Sequence, residues 1–398
     1  MFKNKLLLVS PLIALAVIFI FSLTLIPSAQ TQPKNLPIAI VNEDAGVEIP
    51  NQPKMNMGQT IVETIQKNSK TTSDQEDPAV KWVVVKNTEE VREGLDNQKY
   101  YAALVIPKDF SSKQVSLRTP APSSPEVQIF INQGMNMAAS TMAGQILNGV
   151  VDNMNNNVRT QLLEGFEKQG ATLTAKQAAS LAAPITKNVT NVNEIGTNSA
   201  NGNAPVSLFQ PLWIASLASA AIIFIAVSKQ SITNRKENLA AKIGQILMGA
   251  IVALVVGFGL TWLADGMVGI HIQQFTDTAL FLSITSFSFF LMISAVLSLL
   301  GIKSLPVFAL MLFFGAPLLS MAPEMMSSFY RDWIFSWLPM RFMVQGLREL
   351  FFFGQGLSWN SPVSNLVWIG VVSMLVILAS ALKLNSDKEK KQTEKSVA

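Results

Sequence analysis

Ser283, Ser286, Ser294 and Ser298 fall within one helical face of an apolar stretch, and their hydroxyls are the first groups in this 398-residue chain that could do chemistry. Two readings stand for them: they line a hydrated or amphiphile-accepting path, or they hold helices together as small polar residues do inside membranes. A second group lies in "SKQSITNRKENLAAK", residues 228–242, where a helix start at Thr233 or Asn234 is followed by the mixed charges Arg235, Lys236 and Glu237 and then Leu239. This segment is either a basic anchor with a solvated turn or a coupling helix that docks a cytoplasmic ATPase. A third group is aromatic and basic: Trp333, Trp337, Pro339, Arg341 and Arg348, with the two arginines seven apart on one face.

Other chemistries lack the residues they need. The chain has no cysteine, which removes disulfides, thiolate metal sites and cysteine nucleophiles. His271 is the single histidine, and one histidine does not make a clustered metal site or a catalytic triad; it reads as a loop residue. Asp44, Glu48, Asp109 and Glu126 keep no fixed spacing and read as solvated surface. No G-x-x-x-x-G-K-[ST] loop occurs, so the chain is expected not to split a nucleotide itself. No catalytic, cofactor-binding or metal-binding residue is named, no cofactor is expected, and the chain is read as not an enzyme.

The elements that position these groups are membrane spans. Charged residues make up 14% of the chain, against roughly 25% in an ordinary soluble one. A span needs about 20 mostly apolar residues, and six windows supply them: 6–26, 208–227, 243–264, 278–301, 305–321 and 364–382. The fifth is short and holds Pro317. The first resembles a signal peptide in its basic start and "IPSA" end, but its 21 apolar residues exceed the usual run and it is expected to remain as an anchor. The middle turns of these windows carry no ionisable residue, which disfavours an ion-coupled mechanism. Asp265 sits just past the third window and reads as interfacial. Gly249, Ala253 and Gly257, and likewise Ala215 and Ser219, stand four apart and let helix backbones approach.

Lysine and arginine in short loops set orientation. Lys3 and Lys5, then Lys229, Arg235, Lys236 and Lys242, then Lys303, then Lys383, Lys388, Lys390, Lys391 and Lys395 all fall on one side. Both termini are therefore expected in the cytoplasm, with residues 383–398 as a basic tail. The formal charge of +4 is topological and does not call for nucleic acid. Arg331, Arg341 and Arg348 depart from this rule. They are accounted for if residues 330–354 form short re-entrant helices at the outer leaflet, with Trp333 and Trp337 at the lipid boundary and the arginines reaching headgroups.

Residues 27–207 change period. "LPIAIV", "WVVV" and "YAALVI" are strand-length apolar runs and "EVQIFI" alternates, which predicts a small α/β sheet outside the membrane. Asn87 with Glu90 predicts a capped helix between the second and third strands. Met142, Ile146, Val150, Met154, Val158 and Leu162, with Ala139, Ala143, Leu147 and Val151 beside them, predict a long helix that packs on the sheet or on a second copy. "TKNVTNVNEIGTNSANGNAP" lacks periodicity and reads as a flexible tether. The expected fold is thus an α-helical integral membrane protein of six transmembrane helices. A small extracytoplasmic α/β domain and a long helix are inserted between helices 1 and 2, and a five-helix bundle occupies residues 208–382.

"LPIAIVNEDAG", "YYAALVIPKDFS", "VQIFINQGMNMAASTMAGQIL" and "WLPMRFMVQGLRELFFFGQ", in this order around one span and then five, resemble the ABC type-2 transporter permeases, within them the YhgE/Pip (phage infection protein) branch. The resemblance covers nearly the whole chain, although members of that branch often carry a much longer coiled outer region. It implies a half-transporter that dimerises with itself or with a second permease and contacts membrane lipid. A separate cytoplasmic ABC ATPase would drive it to export a hydrophobic or amphiphilic cargo such as a lipid, drug, peptide or glycan-like molecule. The family's coupling helix maps onto Arg235 to Leu239, and its outer re-entrant helices onto Trp333 to Phe353. The alternative function is a non-transporting surface protein, a docking factor for phage or secretion machinery. An outer-leaflet enzyme is a distant third.

Overall fold

A computed structural model describes residues 33–50, 53–71, 78–170 and 172–382, together with scattered positions between residues 11 and 26. The chain divides into two compact units, one of residues 30–195 with 321–331, the other of residues 1–29, 196–320 and 332–398.

The first unit is built on strands β1 (Leu36–Asn42), β2 (Val80–Val85), β3 (Ala102–Ile106), β4 (Glu126–Asn132) and β5 (Thr186–Val192), in the spatial order β2-β1-β3-β4-β5. β1 pairs parallel with β2 and β3, β4 runs antiparallel to β3, and β5 is parallel to β4. Helices α1 (Met57–Thr71), α2 (Thr88–Asp96), α3 (Phe110–Ser116), α4 (Met137–Lys168) and α5 (Ala175–Ala182) surround the sheet. β1 and β3 are continuous apolar runs because both sheet faces are covered. Leu36, Ile38 and Ile40 enter a core with α4, while Ala39 and Val41 face α2 on the other side. Asn87 caps α2 by accepting from the Glu90 amide at 2.8 Å, and Glu90 reaches back to the Lys86 amide at 2.9 Å, the capped start expected from the sequence. On that side, burial first and the nearby Glu90 charge second hold the Tyr100 phenol above its ordinary pKa.

The long helix α4 spans 32 residues. Ala139, Ala143, Leu147 and Val151 are fully buried on the sheet, Val158, Leu162 and Phe166 continue the line, and Met142, Ile146, Val150 and Met154 are only partly covered. A four-residue repeat drifts around a helix of 3.6 residues per turn, so the buried line changes from one stripe to the other along the helix.

The segment read as a tether begins instead with an edge strand. Asn155 of α4 donates to the Ile185 carbonyl at 3.0 Å and accepts its amide at 2.7 Å, and Arg159 donates to the carbonyls of Leu181 and Ala182 at 2.8 and 2.6 Å. These bonds deliver β5 to β4, where the backbone ladder forms although most of its side chains face solvent. Residues 321–331 also join this unit: Ala322 and Met325 enter its core, and Glu324 accepts from the Tyr101 hydroxyl at 2.7 Å and from the Lys34 amide at 2.7 Å.

In the second unit α6 (Phe209–Ser228), α7 (Arg235–Leu263), α8 (Phe275–Leu300), α9 (Leu305–Ser320), α10 (Met340–Phe352) and α11 (Ser361–Ser380) follow in order. Among the described residues, five segments are long and apolar enough to cross a membrane: Ala204–Ser228, Arg235–Val268, Phe275–Leu300, Ile302–Ser320 and Ser361–Ser380. The first window, residues 6–26, and the basic tail, residues 383–398, lie outside the described residues apart from the scattered positions noted above. α8 is the most enclosed helix and packs against α6, α7, α10 and α11. Gly249 and Gly257 make the α7–α8 approach possible, since an added Cβ would stand 2.0 Å from the Phe290 ring and 2.1 Å from the Ser283 hydroxyl. Trp213 of α6 is fully buried among Phe209, Phe289 and Phe308 and donates its indole N–H to the Phe308 carbonyl at 3.1 Å. Outward faces of α6, α7 and α11 expose Ile222, Leu247, Ile251, Val255, Trp368 and Leu375, as a hydrocarbon surround requires.

Candidate functional site

The turn into α7 is pinned by its own side chains. Asn234 accepts from the Glu237 amide at 2.9 Å, and the Glu237 carboxylate takes the Thr233 amide and hydroxyl at 2.8 and 2.9 Å and the Asn234 amide group at 2.9 Å. This is a helix start with its orphan N–H groups satisfied. Asn238 then donates to the Ala381 carbonyl at the end of α11, 2.9 Å away. Arg235, Lys236 and Leu239 are left exposed on this fixed knuckle.

Directly behind it the polar residues turn inward. Lys242 is only 8% exposed, and its ammonium donates to the Ser298 hydroxyl of α8 at 2.9 Å. It makes no ion pair among the described residues. One turn further Gln245 is 1% exposed, and neither atom of its amide has a hydrogen-bond partner among the described residues. The antiparallel register that sets Lys242 by Ser298 and Gly249 by Phe290 places Gln245 level with Ser294, whose buried hydroxyl is also without a partner there. Gln245 forms part of the wall of a cleft of about 740 Å³ between α6 and α7, with Ile223, Val227, Gln230 and Met248. A buried charge with one neutral partner and an unsatisfied buried amide each cost free energy, on the order of 1–3 kcal/mol for the amide. Residues of this kind inside a bundle mark places where something passes or binds.

The two remaining serines of the predicted face sit deeper. Ser286 is within 3.1 Å of the Ser216 hydroxyl of α6, and Ser283 donates to the Ala279 carbonyl at 2.7 Å beside Gly257. Ser283, Ser286 and Ser294 are buried between helices of this single chain, and Ser298 is half-buried.

At the other end of the bundle, Trp333 and Trp337 are exposed, with the Trp337 indole bonded to the Trp333 carbonyl at 2.6 Å. Pro339 leads into α10, where Arg341 and Arg348 are half-buried, and the Arg341 guanidinium lies over the Phe335 and Phe342 rings, 5.8 and 4.6 Å from their centres. Gly346 brings α10 so close to α8 that a Cβ would stand 2.2 Å from the Phe281 ring. Glu349 is buried and accepts from Asn360 at 2.6 Å and Gln345 at 3.3 Å. Asp265 accepts from the Ile272 amide at 3.3 Å, and His271 is exposed in that loop.

Three residues escaped the sequence reading. Lys242 was expected as a loop charge, and Gln245 and Glu349 were not singled out. A signal for the first two existed: Lys242, Gln245, Gly249, Ala253 and Gly257 follow one another at intervals of three and four, so the polar pair shares the close-packing face. Asp44 corrects the surface reading of the carboxylates, being 7% exposed and accepting from the amides of Gly46, Gly58 and Ser111 at 3.2, 3.1 and 3.0 Å as well as from the Ser111 hydroxyl. It ties the loop after β1 to the first turns of α1 and α3, a role no linear spacing announces.

Among known proteins, the sequence profile of the family described as ABC-2 family transporter protein matches residues 5–382. An uncharacterized protein, YhgE, of Bacillus subtilis strain 168 is 23% identical over 133 residues, a stretch covering 33% of this chain and 15% of that protein. A crystallised domain from Thermotoga maritima MSB8, assigned to an ABC type-2 transporter, is 19% identical and aligns over 39% of this chain and 86% of its own length with a TM-score of 0.25.

Proposed function

Because this chain is a membrane protein of the ABC-2 transporter family, a YhgE-like permease, we propose that it is the membrane subunit of an exporter that moves an amphiphilic or hydrophobic cargo outward, driven by a separate cytoplasmic ATPase. The observation that carries the reading is the knuckle at Arg235–Leu239, fixed by its own capping bonds and by α11, with Lys242 and Gln245 buried one to two turns behind it. A force applied there by a docked ATPase would reach the polar cluster through α7 with no flexible joint between. In this proposal both termini and the knuckle are cytoplasmic, the sheet unit lies outside, and residues 330–354 dip into the outer leaflet. A second permease, identical or related, completes the assembly. Ser294 and Ser298, next to Lys242 and Gln245, are the part of the serine face placed on the cargo path, and Ser283 and Ser286 continue it.

The test is co-purification. Tagged wild-type chain is expected to bring down a nucleotide-binding subunit from its native membrane, and the double reversal Arg235→Glu with Lys236→Glu is expected to reduce the captured subunit at least tenfold while leaving the chain folded. Equal capture by both would remove the knuckle as the docking point.

A further inference from the structure

In the sheet unit, α1, α3 and α4 do not close on one another. They leave a trough of about 660 Å³, within the range of about 300–1,000 Å³ typical of small-molecule sites. A contiguous hollow of about 290 Å³ shares Met55, Met57, Gln114, Arg118, Val158 and Gln161 with it. The walls are mixed: Ile61 and Ile65 from α1 and Val150 and Met154 from α4 supply apolar surface, with Thr60, Thr64, Asn153 and Asn157 between them. Methionine side chains adapt to irregular apolar ligands. The partly covered stripe of α4 is therefore one wall of a concavity.

Among the residues lining the trough, one is charged. Arg118 lines both cavities, is exposed, and makes no ion pair among the described residues. Beside it the Gln114 side-chain oxygen is buried without a hydrogen-bond partner among those residues. From Val150 to Gln161 the α4 wall runs about 16 Å at 1.5 Å per residue, enough for an extended hydrocarbon chain of about a dozen carbons. A helix of a second copy does not fit: three turns at 10–12 Å diameter occupy about 1,500 Å³, roughly twice the trough.

We propose that this trough binds the hydrocarbon chain of a single-chain amphiphile whose anionic headgroup is held by Arg118, with the Gln114 side-chain oxygen accepting from a headgroup hydroxyl such as the P–OH of an alkyl phosphate monoanion. The biological use of the site, receiving cargo from the bundle, rests on the export reading above; its binding does not. The chain's lack of cysteine allows a direct test. Full-length protein in zwitterionic nanodiscs, carrying Thr64→Cys labelled with an environment-sensitive dye at the rim, is titrated with dodecyl phosphate, dodecanol and dodecyltrimethylammonium. Glu89→Cys on α2, behind the other sheet face, reports partition into lipid alone.

A saturable response at position 64 and none at 89 is expected, tightest for dodecyl phosphate. Arg118→Gln should weaken dodecyl phosphate about tenfold and leave dodecanol within about twofold. Met154→Trp, which fills the trough, should remove both responses. No saturable response to dodecyl phosphate, an equal affinity in Arg118→Gln, or a dye response that tracks protein concentration without amphiphile would each overturn the assignment. No ATPase is present in this titration, so binding that persists in a chain that exports nothing would defeat the export reading and leave the trough standing.

Discussion

A single residue, Lys242, concentrates the functional argument. Its ammonium is buried against a neutral hydroxyl, so the fold bears a desolvation cost that a carboxylate partner would have offset. If the group is kept for passage and not for packing, Lys242→Met should raise the thermal midpoint of the purified chain by about 1 °C, the shift that roughly 1 kcal/mol produces at about 2.1 cal/mol/K per residue over a chain of 398 residues, while export falls at least tenfold. A midpoint lowered by the same amount would mean that Lys242 and Ser298 form a structural pair. The residue types were all visible in the sequence. What hid Lys242 was its place in a run of loop charges, since burial is a property of which way α7 faces and not of residue identity. Asp44 was hidden for a related reason, because its three amide donors come from positions up to 67 residues away.

Among the elements, β5 and the α7–α8 pair show opposite limits. β5 has a polar, unpatterned sequence and forms because Asn155 and Arg159 hold the chain just before it against β4. Asn155→Ala leaves the Ile185 amide and carbonyl without their partner, a cost of about 1–3 kcal/mol. Hydrogen exchange over Thr186–Val192 should then accelerate about tenfold or more, with β1 and β3 unchanged. Unaltered protection of β5 would show that the ladder alone holds it. The α7–α8 contact needed no such rescue from the tertiary structure to be foreseen: Gly249, Ala253 and Gly257 stand four apart in the sequence, and in the fold two of them meet Phe290 and Ser283 at distances that admit no Cβ.

At the scale of the whole molecule, the chain passes between its two units four times, near residues 29, 195, 320 and 331. Residues 321–331, entered from α9, supply Ala322, Met325 and Glu324 to the sheet unit, so that unit is tied to the bundle sequence at more places than the single insertion after the first window. The proposed orientation makes a plain prediction. In intact cells a membrane-impermeant maleimide should label Lys99→Cys of the sheet unit and should reach Lys236→Cys only after permeabilisation. The reverse pattern would invert the topology and, with it, the direction of transport proposed here.

The sequence by itself determined the membrane character, the α/β nature of residues 36–132 and the close-packing face of α7. Each follows from local quantities, hydropathy over a span's length and the period of apolar residues, which neighbours along the chain express directly. Only the tertiary structure decided what Lys242 and Gln245 meet on that face, that Thr186–Val192 becomes a strand, and that α1, α3 and α4 leave a trough lined by Arg118. Those outcomes depend on which distant groups meet, and a pattern of near neighbours carries no record of what a side chain faces across the fold.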